Sequence, residues 1–432
     1  MTYDVAIIGA GWAGFNAALR AKALGLTVAL IEKSDIGGTC LNRGCIPTKA
    51  LIHSAKIYTL AKKAPLFGVS CAAPAFDFTA VQARKNKIVQ QLRSGMQFLV
   101  KGIDLFNEPA QIISPVRIQA GSRAIDTKTI IVATGSRPYE LKGFAFDAKK
   151  IISSDQVLAL TDVPRSLLII GGGVIGCEFA CLFANFGAQV AVVEKMPQLL
   201  PGEDKEVARK LESALRKKGI KVSTATDAAS VTLTDYELVL VCVGRAAYTA
   251  GLGLEELGVS LAQGKIIVDD YLKTTVANIY AAGDCTGKTM LAHFAAYQGQ
   301  IAAENIAHPQ APVAAGGAHI PSCIFTDPEI ASVGLNEDAA RGKGIEITVK
   351  KFDFLGSGMA RIIEEADGFI KIVCEAAGGK VLGASIIGPR ATELIASLGV
   401  AVANGLTAGQ LKNTIFAHPT LSEAIPEALK DI

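Results

Sequence analysis

One pattern occurs twice in this chain, and the repeat limits what it can fold into. Asp4–Ile8 reads as a strand, Gly9, Gly11 and Gly14 follow, a helical stretch runs to about Leu24, and a second strand, Thr27–Ile31, ends at Glu32. The same order returns as Leu167–Ile170, then Gly171, Gly173 and Gly176, a helical stretch to about Phe186, Val190–Val193 and Glu194. Each glycine and each glutamate stands 162 residues from its counterpart. A strand, a glycine turn at this spacing, a helix and a second strand ending in an acidic residue form the pattern of a dinucleotide site. The first glycine makes the turn, the second admits the pyrophosphate to the backbone, and the third lets helix pack on strand. The free N–H groups of the helix start then face the phosphates. A glycine-rich turn with no ligand is the plainer reading of one copy, but it does not explain the repeated acidic residue. Glu32 and Glu194 are expected to accept hydrogen bonds from adenosine-ribose hydroxyls. A carboxylate at 194 repels a 2′-phosphate, which favours NAD over NADP, although Lys195 is adjacent.

At 432 residues the chain needs two to four domains. The net charge is +3 without a dense basic tract, which argues against nucleic acid as a partner. Apolar runs such as Leu167–Ile170 and Leu238–Val243 fall far short of the ~20 residues of a membrane span. A strand pattern opening at Tyr3 leaves no room for a signal or transit peptide. Nine cysteines, an odd number scattered along a large chain, suit catalytic or buried thiols better than a disulfide framework, and the expected compartment is the cytoplasm.

Between the repeats, Phe76–Leu99 reads as a polar helix with an apolar stripe through Val81, Ile88, Leu92 and Met96. Thr129–Ala133 reads as a buried strand running to Gly135, and Leu238–Val243 as its counterpart running to Gly244. A helix over about Ala292–Ile306 precedes a Pro/Ala/Gly linker, His308–Gly317. Beyond it, Phe369–Val373 and Val381–Ile387 read as strands and Ala391–Asn404 as an apolar helix, an α+β arrangement.

The most informative segment is Gly37-Gly38-Thr39-Cys40-Leu41-Asn42-Arg43-Gly44-Cys45-Ile46-Pro47-Thr48-Lys49. Two cysteines with four residues between them can close a small redox-active ring; two separate buried thiols are the other reading. Pro47 and the apolar periodicity after it place a helix start just past Cys45, where a thiolate gains from the helix dipole. Near the C-terminus, His418 and Glu423 are five residues apart in a segment opened by His-Pro. An imidazole oriented by a carboxylate suits a base for a thiol; a packed histidine beside a surface glutamate is the alternative.

With these segments, Ala133-Thr134-Gly135-Ser136, Val243-Gly244-Arg245, Ala282-Gly283-Asp284, Met290-Leu291-Ala292-His293 and His418-Pro419-Thr420-Leu421-Ser422-Glu423 give a resemblance that spans nearly the whole chain. The sequence resembles the pyridine nucleotide–disulfide oxidoreductases of class I, FAD-dependent homodimers. The resemblance implies an α/β fold of two Rossmann-like dinucleotide-binding domains, for FAD and NAD, plus a C-terminal α+β dimerisation domain. The implied division is 1–145, completed by 270–316, for FAD; 146–269 for NAD; and 317–432 for dimerisation. It implies that Gly9, Gly11, Gly14, Glu32, Gly38, Thr39, Lys49, Ala110, Thr134, Gly135, Ser136, Asp284, Met290, Leu291, Ala292 and His293 hold FAD. Gly171, Gly173, Gly176, Glu178, Glu194 and Gly244 would hold NAD. Cys45 would lie against the flavin and Cys40 exchange with substrate, Lys49 would pair with Glu178, Asp284 would hold the ribityl chain, and His418 with Glu423 would act across the dimer. The implied reaction oxidises a dihydrolipoyl dithiol, carried by a protein of a 2-oxo acid dehydrogenase or glycine-cleavage system, and passes hydride to NAD⁺.

Two departures stand out. The stretch 225–236 is too short for the β-meander usual in the NAD domain, so a sheet face should be exposed or covered otherwise, and Arg245 is followed by Ala246-Ala247-Tyr248 rather than Pro-Asn. The rival readings are a related FAD-dependent NAD(P)H reductase of another disulfide or of a metal ion, and a redox-silent flavin-binding subunit. No residue set reads as a metal site: Cys177 and Cys181, one helical turn apart, are expected in the core. Cys71, Cys242, Cys285, Cys323 and Cys374 are expected to be buried single thiols, and His53, His308 and His319 ordinary positions. Trp12, inside the first glycine turn, either shields the adenine side or fills space.

Overall fold

The computed structural model describes residues 2–316 and 319–431. Gly317, where the linker was expected to end and the third unit to begin, lies outside them.

Both repeats fold as expected, with ends shifted by a residue or two. In the first, β1 (Thr2–Ile8), α1 (Trp12–Ala23) and β2 (Val28–Ile31) follow in order. Next come α2 (Gly38–Arg43), α3 (Cys45–Lys63) and α4 (Phe78–Leu99). The sheet is completed by β3 (Asp104–Phe106), β4 (Ala110–Ser114), β5 (Arg117–Ala120) and β6 (Arg123–Val132) in the order β3-β2-β1-β6-β5-β4. The late strand Ile279–Ala281 returns to pair in parallel with the end of β6, so the chain leaves this unit and comes back to it. The second repeat builds a parallel sheet in the order 221–223, 189–193, 166–170, 238–241, 151–152. Its helix is Val174–Asn185. In both repeats the strands are apolar on both faces, as parallel strands under helices must be.

The glycines keep their types for steric reasons. Gly9 and Gly171 take φ of +102° and +110° at the two turns. A Cβ on Gly14 would meet the Gly9 carbonyl oxygen at 1.8 Å, and one on Gly176 the Gly171 oxygen at 1.9 Å.

The second sheet lacks the meander but not a cover. Phe144 with Leu141 and Phe146, and Ala228, Val231, Leu233 and Tyr236 from two short turns, pack over Leu168, Ile170, Ala191, Val193, Val239 and Val241.

The C-terminal unit is an antiparallel sheet in the order 322–324, 329–334, 381–388, 369–375, 347–353. Helices Ala391–Ala403 and Ala424–Leu429 close its core. It is tied to the second repeat unit through Lys371, only 4% exposed. Lys371 meets Asp204, 5% exposed, at 2.9 Å, Glu206 at 2.8 Å and Glu337 at 2.9 Å. Removing one partner of a buried ion cluster strands the rest, at a cost of about 3 kcal/mol. Lys371→Met should therefore lower the urea unfolding midpoint; a midpoint equal to wild type would contradict this.

Three expectations need correction. The helix expected from Phe76 starts at Phe78, because Asp77 caps it by accepting from Thr79 N at 2.8 Å. Its inner face runs through Phe78, Lys85, Val89 and Met96, while Leu92 is 45% exposed. Lys85 is buried because its ammonium donates to the Leu158 carbonyl at 2.7 Å. Cys71, expected in the core, is exposed, and Cys323 is half-buried; Cys177, Cys181, Cys242, Cys285 and Cys374 are buried.

Candidate active site

The two cysteines of the central segment meet because the backbone between them folds sharply. Gly37 takes a left-handed φ of +99° and caps the six-residue helix α2, which carries Cys40. Gly44 then breaks α2 from α3; a Cβ on it would meet the Thr39 carbonyl oxygen at 2.9 Å and the Cys40 Cα at 3.2 Å. No other residue type lets the two helices close this tightly. Cys45 is the first residue of α3 and Cys40 the third of α2. Both are free thiols and half-buried, and each shifts the other's ionisation.

The electrostatics of the pair are asymmetric. Donation from Cys40 brings the Cys45 thiol down to about 7 against the opposing effect of burial, helped by the Lys49 ammonium. Cys45 also opens a 19-residue helix, whose N-terminal dipole favours a thiolate there. Cys40 moves the other way: sharing its proton with Cys45, and then burial, push it up. The surroundings therefore favour negative charge on Cys45 and the proton on Cys40.

Lys49 is one turn along α3 and is itself held. Its ammonium bonds both oxygens of Glu178 at 2.9 and 2.8 Å and lies 4.8 Å over the Phe325 ring. Glu178, from the second glycine helix, is 3% exposed and accepts from Phe325 N at 2.9 Å. One ion pair thus joins the cysteine helix, the second repeat and the C-terminal unit.

Around the first glycine loop, Gly37 N donates to the Ala10 carbonyl at 2.8 Å, and Gly38 lies where a Cβ would meet the Gly11 Cα at 2.7 Å. The two loops are in backbone contact. Glu32 accepts from Ala10 N and Ser34 N, both at 2.8 Å. Glu194 repeats this, accepting from Gly172 N at 2.6 Å and Met196 N at 2.7 Å. Each carboxylate braces its own glycine loop and keeps lone pairs for a ribose. Gly173 faces open space where a side chain would stand, and a Cβ on Gly11 would meet only Gly38, at 3.8 Å. Both loops therefore have the clearance that a pyrophosphate requires.

Asp284 accepts from the Ser136 hydroxyl at 2.6 Å. Arg245 donates to that hydroxyl at 2.7 Å and to the Ser136 carbonyl at 2.9 Å, and burial pulls its guanidinium pKa down. Arg245 carries no role in the sequence pattern; a half-buried arginine whose partner Ser136 lies 109 positions away has no local signal. Thr134 donates to the Tyr248 carbonyl at 2.5 Å, and Gly135 and Gly244 hold φ of +74° and +130°. Thr39 lies on α2 beside Cys40, and Ala292 and His293 open the helix Ala292–Ala307 that Met290 and Leu291 lead into. His293 contacts the Pro321 carbonyl at 2.9 Å. Ala110 starts β4 opposite Ala120, apart from these contacts.

His418 and Glu423 also meet. Nδ1 of His418 lies 2.8 Å from one Glu423 oxygen, and the other oxygen accepts from Thr420 N at 2.8 Å. That backbone bond, then the imidazole, hold the Glu423 carboxyl below its ordinary value. The imidazole is 81% exposed, with Nε2 free of the carboxylate. Among the described residues no group of three or more His, Cys, Asp or Glu could hold a metal ion, and no helix is long and apolar enough to cross a membrane.

Residues 3–299 match the family described as pyridine nucleotide-disulphide oxidoreductase, and residues 320–429 its dimerisation domain. The chain is 39% identical to a dihydrolipoyl dehydrogenase of Bacillus subtilis, over 99% of this chain and 97% of the relative. A dihydrolipoyl dehydrogenase of Geobacillus stearothermophilus is 40% identical over 98% and 95%. Among solved structures, LpdA from Mycobacterium tuberculosis aligns with a TM-score of 0.91 at 30% identity, covering 99% of both chains. The HOCl-induced flavoprotein disulfide reductase RclA from Escherichia coli aligns at 0.88 with 28% identity, covering 99% of both.

Proposed function

The chain belongs to the pyridine nucleotide-disulphide oxidoreductases, and from that premise we propose that it works as a dihydrolipoyl dehydrogenase. It oxidises protein-bound dihydrolipoamide to lipoamide through Cys40 and Cys45, with FAD and NAD⁺ as cofactors. The observation that carries this reading is the thiol pair itself, with Cys45 at a helix start beside Lys49 and pulled down to about 7.

The division of labour follows the sequence units: 1–145 with 270–316 for FAD, 146–269 for NAD, and 317–432 for dimerisation. The first glycine loop with Glu32, and Ser136 with Asp284, suit the two ends of FAD; the second loop with Glu178, Glu194 and Gly244 suits NAD. Gly38, Thr39, Ala110, Thr134, Gly135, Met290, Leu291, Ala292 and His293 complete the flavin side. Bound FAD would supply the two-electron carrier between the thiol pair and the nicotinamide.

The chain's own residues do the thiol chemistry. His418, aligned by Glu423 through Nδ1, takes a substrate proton at Nε2. The substrate thiolate attacks Cys40 in the oxidised pair and Cys45 leaves as a thiolate, stabilised by the helix N-terminus and Lys49. The second substrate thiol then releases lipoamide.

The protein acts as a homodimer, with His418 reaching the cysteines of the second subunit. Ile415, beside the dyad, is 97% exposed, and Leu92, Phe98 and Leu99 of α4 lie open at 45–65%, the apolar surface a second copy would cover. The lipoyl group comes from a protein of a 2-oxo acid dehydrogenase or glycine-cleavage system. The working compartment is the cytoplasm, in keeping with an odd number of cysteines scattered along a large chain.

The test is a rate assay of dihydrolipoamide with NAD⁺ and with NADP⁺, and of glutathione disulfide with NADH. Rapid turnover with dihydrolipoamide and NAD⁺ is expected, with NADP⁺ about a hundredfold poorer because Glu194 opposes the 2′-phosphate. Preference for glutathione disulfide would overturn the substrate assignment.

A further inference from the structure

Trp12 is the chain's single tryptophan and stands between Gly11 and Gly14 of the first glycine motif. Among the described side chains, its indole Nε1 is the one buried nitrogen or oxygen without a hydrogen-bond partner. An unmade buried donor is costly and needs a reason. The backbone places it beside the cysteine helix. The loop that carries Trp12 is pressed against the start of α2 through Ala10–Gly37 and Gly11–Gly38, and Cys40 lies two residues beyond Gly38.

We propose that Trp12 is a positioning residue for thiol exchange, its indole N–H held ready for negative charge on the Cys40 sulfur. This rests on the function proposed above. Cys40 is pushed up by its bond to Cys45 and by burial, while the indole N–H and then Lys49 pull it down. In the reduced pair Cys40 keeps its proton, so its sulfur is a weak acceptor and the indole stays unpaired.

Turnover changes that. A substrate thiolate bonds to Cys40 as the Cys40–Cys45 bond breaks, and Cys45 takes the electron pair. The second substrate thiolate then attacks the substrate sulfur of the mixed disulfide. The substrate departs as a disulfide, oxidised by two electrons, and Cys40 leaves as a thiolate. The indole gains its missing acceptor only at that stage. A donor satisfied by the developing charge, and not before it, lowers the barrier rather than the ground state.

Trp12→Phe keeps the ring and removes the N–H. Reduced holoenzyme is treated with iodoacetamide across a pH series, and Cys40 alkylation is read by peptide mass spectrometry. Cys45 and Lys49 of α3 are the titratable groups acting on Cys40 and are the same in both proteins. The Cys40 midpoint should rise by about one pH unit in the variant, with alkylation at pH 7 about tenfold slower; an unchanged midpoint overturns the proposal. In the wild type, the single indole ¹⁵N–¹H resonance should move as reduced Cys40 titrates and stay fixed once Cys40 is alkylated. A resonance that ignores the titration overturns the proposal even if the variant does not fold. A wild type inert towards dihydrolipoamide would remove the functional reading and this role with it, whereas an active wild type with matching Cys40 midpoints removes the role alone.

Discussion

Replacing Cys45 by serine should abolish dihydrolipoamide oxidation, by about four orders of magnitude or more, while the protein still binds FAD. The size follows from the role: without the second sulfur the pair cannot store two electrons, and no neighbour substitutes for it. Losing an attacking or leaving group of this kind costs most of an enzyme's rate enhancement. Cys45 is also the sulfur that the surroundings favour as a thiolate, through Cys40 and Lys49, so serine, whose hydroxyl does not ionise near neutrality, loses the charge as well. Steady-state rates and the flavin absorbance of the purified variant are the measurements. Activity within tenfold of wild type would refute the assignment of the pair.

His418→Gln should lower kcat by about 10²–10⁴, the range that a positioned general base contributes. Glutamine keeps a donor towards Glu423 and removes the proton acceptor at Nε2. Glu423→Gln should cost less, because the imidazole remains and loses only its alignment and the stabilisation of its cationic form. The imidazole of the dyad is solvent-exposed within one chain, and the proposed reach to the second copy's cysteines is open to test. Mixed dimers of His418→Gln with Cys45→Ser make the point sharper. If each site takes its histidine and its cysteines from different chains, one site of the mixed dimer is intact and partial activity returns. A mixed dimer as inactive as either parent would place both groups on the same chain.

What the sequence made legible was whatever is written in local spacing. The strand–glycine–helix order of both repeats is fixed by contacts within about thirty residues, and Gly14 against Gly9 at 1.8 Å shows how little freedom the pattern has. The Cys40–Cys45 turn and the His418–Glu423 pair were legible for the same reason, since each partner lies within five positions of the other. The Lys49–Glu178 bond spans 129 positions and came from the resemblance, not from periodicity.

Side-chain burial set by tertiary packing was not legible. Of the expected stripe, Met96 is buried and Val81 packs on the core, but Leu92 is exposed, because α4 turns its Phe78–Met96 face inward and accommodates Lys85 through one carbonyl. Cys71 is an apolar-flanked thiol in a segment that never reaches the core. The cover of the second sheet is assembled from two stretches, around 144 and around 231, too short to show any period. The Arg245–Ser136–Asp284 chain joins three segments that only the folded backbone brings together.

The central claim is that Cys40 and Cys45 exchange electrons with a lipoyl dithiol. It is met most directly by anaerobic treatment of oxidised holoenzyme with dihydrolipoamide, followed by alkylation and peptide mass mapping. The account predicts that Cys40 and Cys45 resist alkylation beforehand, joined in one cross-linked peptide, and both become alkylated after one equivalent of dihydrolipoamide. Two thiols that alkylate freely in the oxidised protein, or a cross-link that survives the substrate, would contradict it.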